Sequence, residues 1–96
     1  MTWIQTTPFA QAGPGLREHY EALYRLYPPE YATEVPALRR PDGTGDSIMA
    51  AHSLIPEALR HAFGTHLAAL DPSLPLTRAQ HEMIATVVSA QNRCFY

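Results

Sequence analysis

LTRAQHEMIATVVSAQNRCFY, residues Leu76 to Tyr96, is the stretch whose reading decides the fold. Thr77 followed three positions later by Gln80 is a capping box, in which hydroxyl and amide each satisfy an orphan N–H of a first helical turn. Behind it Met83, Ile84, Val87 and Val88 recur at helical spacing, which predicts an amphipathic helix with that face buried. The pattern stops at Gln91-Asn92. Asn92 is a good N-cap for a new helix, and Cys94 would then stand in that helix's first turn. There the positive end of the macrodipole and several unpaired N–H groups favour thiolate over thiol. Glu82 lies twelve residues before this single cysteine. On one straight helix that separation is about 18 Å of rise and roughly 120° of rotation. Acid and thiol meet only if the chain turns back near Asn92. The sequence permits that turn, and we expect it, with Glu82 brought within one water of the sulfur's neighbourhood.

The spacing Glu82-x11-Cys94 within HEMIATVVSAQNRCFY resembles the carboxymuconolactone decarboxylase and alkylhydroperoxidase D superfamily, in particular its peroxidase-related branch. The signature there is a helical acid, a Ser-x-x-Asn-x-Cys-x-Tyr-Cys run, and a histidine four residues after the second cysteine. Glu82, Ser89, Asn92, Cys94 and Tyr96 match it position by position. The resemblance implies an all-α fold of the alkylhydroperoxidase D type, of which these 96 residues would be the N-terminal portion. It implies a thiol peroxidase without a cofactor, acting on a peroxide and recycled by a dithiol reductant of thioredoxin or lipoyl type. Cys94 would be the resolving cysteine, and the second cysteine, expected directly after Tyr96, the peroxidatic one. Glu82 and the later histidine would relay protons, with Ser89, Asn92 and Tyr96 as supporting motif residues. The family also implies a homo-oligomer. Two other classes compete: a decarboxylase-type enzyme, against which Cys94 speaks, and a non-catalytic helical oligomerisation module. A helix begun at Asn92 and ended at Tyr96 would not recover its nucleation cost, so the chain is expected to continue.

Composition narrows the field further. A hydrophobic content of 46% suits one small globular domain. No apolar run approaches a membrane span, and MTWIQTTPFAQAGPG lacks the basic start and apolar centre of a signal peptide. One cysteine forms no intrachain disulfide, so a cytoplasmic location is the expectation. All seven basic residues are arginine and they are scattered, Arg39-Arg40 being the only adjacent pair; this is no nucleic-acid footprint. His61 and His66, five apart, do not share a helix face, and His-x3-His is absent, so no metal site is read. Spacing gives His52 and His81 no role beyond that of possible site neighbours.

Residues 1–15 read as an extended arm, broken by Pro8, Gly13, Pro14 and Gly15, that packs along its own domain or wraps a neighbouring subunit. A first helix is predicted over 16–27, with Leu16, Tyr20, Leu23, Tyr24 and Tyr27 in one stripe and a Glu21–Arg25 pair opposite. Pro28-Pro29 ends it. A long ordered loop is read over 28–46, disorder being the weaker alternative; it carries a short helical turn at 30–34 or covers a subunit boundary, and Asp42-Gly43 is a turn signal. Helices are predicted over 48–53, capped by Asp46 or Ser47, and from Pro56 to Leu70. The second carries the stripe Leu59, Phe63, Leu67, Leu70. Ala58, Ala62, Ala69 and Gly64 on it suggest close helix packing. No segment alternates as a strand.

Overall fold

The computed structural model describes residues 3–38 and 47–94. Every regular element among them is helical, and no strand occurs. Helix α1 runs Pro14–Tyr24, α2 Ser47–Ala51, α3 Pro56–Ala69 and α4 Arg78–Gln91. Short 3-10 turns occupy Phe9–Gln11, Pro29–Ala32 and Pro36–Leu38. None of these helices is long and apolar enough to cross a membrane.

The core forms where α1 packs on α3. Tyr20 and Leu23 of α1, Leu59 and Leu67 of α3, Met49 of α2 and Ala12 of the N-terminal arm are all buried in one cluster. Leu16, Tyr27, Phe63 and Leu70 close its edges, so the stripes read in the two sequences meet each other. Removing a leucine side chain from water contributes about 1.5–3 kcal/mol. Leu23 and Leu59, fully buried, are therefore among the strongest apolar anchors of the domain. The Glu21–Arg25 pair forms at 4.0 Å on the exposed side of α1, where such pairs are worth little.

The arm folds back on its own domain. Thr7 donates its N–H to the hydroxyl of buried Ser53 at 2.8 Å, and the Tyr20 hydroxyl donates to the Thr7 carbonyl at 2.8 Å. Phe9 meets the rings of Tyr20 and Tyr24 edge-on, with the Arg17 guanidinium over its face at 4.8 Å. Aromatic contact continues from Tyr24 to Tyr27 and from Tyr27 to Tyr31, so one ladder of rings links the arm to the segment after α1.

Several boundaries and packing expectations are corrected. The arm is not wholly extended, because Phe9–Gln11 closes a 3-10 turn. α1 begins at Pro14 rather than Leu16, since proline is already set for a first helical position. It also ends at Tyr24 rather than Tyr27. Leu26 and Tyr27 donate three residues back to Leu23 and Tyr24, tightening the chain ahead of Pro28. The helical turn expected at 30–34 is the 3-10 turn Pro29–Ala32. The Asp42-Gly43 turn and the Asp46 cap lie outside the described residues. Ala58, Ala62 and Ala69 face solvent, and a Cβ added at Gly64 would meet nothing within 4 Å. Close packing at these four positions of α3 is absent among the described residues.

The largest correction concerns α4. Its capping box forms in both directions, with Gln80 N–H to Thr77 Oγ1 at 3.2 Å and Thr77 N–H to Gln80 Oε1 at 2.8 Å. The apolar face behind it is not buried, however. Met83, Ile84, Val87 and Val88 are each more than half exposed. Only His81 is buried on this helix, and from Glu82 to Cys94 every residue is exposed. α4 is seated by its first turn and stands clear of the core beyond it.

Candidate functional site

The motif residues are strung along α4 and the turn that ends it. Asn92 is the C-cap of α4, not the N-cap of a following helix. Arg93 adopts a positive φ of 50°, its N–H donates to Ala90 O at 3.1 Å, and Cys94 N–H donates to Ser89 O at 2.9 Å. This paired closure is a Schellman motif, which satisfies the last carbonyls of a helix and reverses the chain. The turn expected between the helix and Cys94 therefore exists, at Arg93. Its consequence differs from the expectation. Cys94 lies past the negative end of α4, its N–H is spent on Ser89, and the first-turn argument for a thiolate does not apply there. The thiol itself is free and exposed. Tyr96 lies outside the described residues.

Glu82 sits at the opposite end of the helix. Its carboxylate leans back one turn to Arg78, with Oε1 and Nη2 2.6 Å apart. The two meet as charges off the N–H axis, because among the described residues neither terminal guanidinium nitrogen has an aligned hydrogen-bond acceptor. The Arg78 guanidinium also lies over the Tyr31 ring at 4.6 Å, and the Tyr31 hydroxyl approaches Glu82 Oε1 at 3.4 Å. Glu82 and Ser89 are seven residues apart, about two turns, so they share a face but are separated by about 10 Å along the axis. Cys94 is tied to Ser89. Acid and thiol are not brought together among the described residues, which corrects that part of the reading.

The histidines are dispersed. His52 Nδ1 is bonded to Ile48 O at 2.9 Å, and its ring stands edge-on to Phe63. His61 lies 3.4 Å and His19 3.8 Å from the Glu57 carboxylate. His81 is buried with both ring nitrogens unpartnered among the described residues. No three metal-donor side chains converge there.

Sequence reading missed Arg78 and Tyr31. The i,i+4 spacing of Arg78 and Glu82 was available as a signal. Nothing local points to Tyr31, fifty-one positions from Glu82. No family model, curated protein or solved structure matches the chain, so the likeness to the alkylhydroperoxidase D superfamily rests on the motif residues themselves.

Proposed function

We propose that this chain is the N-terminal part of an alkylhydroperoxidase D-like helical domain, and that the complete protein is a cytoplasmic, homo-oligomeric thiol hydroperoxidase. The observation that carries the reading is the run Ser89-x-x-Asn92-x-Cys94, which ends α4 in a chain reversal and leaves the Cys94 thiol in solvent. In the scheme, the peroxidatic thiolate attacks one peroxide oxygen. An S–O bond forms, the O–O bond breaks, and the departing alkoxide takes a proton through the relay that includes Glu82. Cys94 then attacks the sulfenic sulfur, forming the disulfide and releasing water. A dithiol returns two electrons and restores both thiols.

A second reading is favoured by the uncovered face of Met83, Ile84, Val87 and Val88: a helical association module without chemistry of its own. Hydroperoxide consumption by the complete protein, with dithiothreitol as reductant, separates the two. The enzyme reading expects turnover that falls about 10²–10⁴-fold in Glu82→Gln, because an amide of the same shape exchanges no proton. A protein that consumes no peroxide leaves the association module standing; a Glu82→Gln variant as active as the parent reduces Glu82 to a helix-surface acid.

A further inference from the structure

We propose that Arg78 and Tyr31 are positioning residues that hold the Glu82 carboxylate for proton transfer; this inference rests on the hydroperoxidase reading above. Glu82 is on an otherwise exposed helix, and an unrestrained glutamate there would sweep its carboxylate through many rotamers. Two groups restrain it. Arg78 supplies the closer contact, a charge pair at 2.6 Å. That guanidinium is not a loose surface cation, since its two terminal nitrogens are buried. It lies over the Tyr31 ring, at 4.6 Å from the centroid, a cation–π contact that limits where its charge is offered. The Tyr31 hydroxyl, at 3.4 Å from the same Oε1, is too distant for a strong hydrogen bond. Its ring therefore matters more than its oxygen.

The arrangement also joins two distant parts of the chain. Tyr31 belongs to the 3-10 turn Pro29–Ala32, and its ring is the last rung of the aromatic ladder that starts at Phe9. Through that ladder the orientation of Glu82 is referred to the α1 core, although α4 itself leaves the core after its first turn. A carboxylate in a proton relay must be aimed as well as basic, and small misplacements at such groups cost large factors in rate.

The test is steady-state kinetics of the complete protein with cumene hydroperoxide and dithiothreitol, using Arg78→Met, Arg78→Lys, Tyr31→Phe, Tyr31→Ala and Glu82→Gln, each checked by circular dichroism. Arg78→Met is expected to lower kcat roughly 10–100-fold with little change in KM for peroxide. Arg78→Lys, which keeps the charge but loses the planar fork, should recover part of that loss. Tyr31→Phe should lose less than Tyr31→Ala. In the Glu82→Gln background, Arg78→Met should cost nothing further, because the group it positions is gone; a merely structural role would still show its cost there. Unchanged kcat in Arg78→Met, or losses that multiply in the double variant, would overturn the inference while the hydroperoxidase reading stands. Full activity in Glu82→Gln likewise overturns the inference alone, whereas a parent protein without turnover overturns that reading and the inference together.

Discussion

The α1–α3 core and helix α4 carry apolar stripes of similar quality in sequence, yet they have opposite fates. Leu23 of α1 and Leu59 and Leu67 of α3 are all buried in one cluster. Met83, Ile84, Val87 and Val88 of α4 meet nothing comparable and stay in solvent. Periodicity establishes that a helix has an apolar face. Whether another element is there to cover it is a separate, long-range question. The contrast also separates tasks: the core holds the shape, while the motif residues lie on the element least committed to it.

The steepest way to break this contrast is truncation on each side of it. Leu59→Ala should destabilise the 96-residue chain by about 2–5 kcal/mol in urea unfolding, from lost transfer energy plus the cavity left behind. An effect below 1 kcal/mol would mean that α1 and α3 do not share the core described.

Tyr20 sharpens the comparison through pH. Burial, and then the neighbouring Tyr24, push its phenol above the ordinary tyrosine value of 10.0, with a hydrogen bond involving Ser53 acting the other way. A raised value means that the folded state favours the neutral form. The contribution is therefore complete below pH 10 and is lost as pH rises through and beyond it. Tyr20→Phe should flatten that alkaline decline and cost about 1–3 kcal/mol at neutral pH, where the part-buried Thr7 carbonyl loses its donor. An equally steep alkaline loss in the variant would assign the dependence to other groups.

Smaller effects are expected on α4. Thr77→Ala removes one half of the capping box and should cost about 1 kcal/mol of helix stability. Val87→Ala in the same 96-residue chain should change stability by no more than about 0.5 kcal/mol, as for other exposed positions. A cost matching that of Leu59→Ala would show that this face is covered in solution.

Much of this architecture was legible in the sequence because it is local. The capping box at Thr77 and Gln80 and proline at the start of α3 depend on residues within a turn of one another, and the stripe from Leu59 to Leu70 on simple periodicity. The end of α4 was harder. Asparagine serves at either end of a helix, so Asn92 read as the start of one when it closes the other. The left-handed residue is Arg93, where no glycine announces it. The seating of Glu82 depends on Tyr31, and the core depends on Met49 and Ala12 arriving from other segments. No local pattern encodes those meetings.

The chemistry assigned to the end of α4 comes down to the fate of one thiol. The most direct measurement is alkylation of Cys94 in the complete protein, followed by peptide mass spectrometry, before and after one equivalent of hydroperoxide without reductant. The account predicts that Cys94 is alkylated before treatment, is protected afterwards as one half of a disulfide, and becomes alkylatable again when dithiothreitol is added. Cys94 that alkylates as fully after peroxide as before would contradict it.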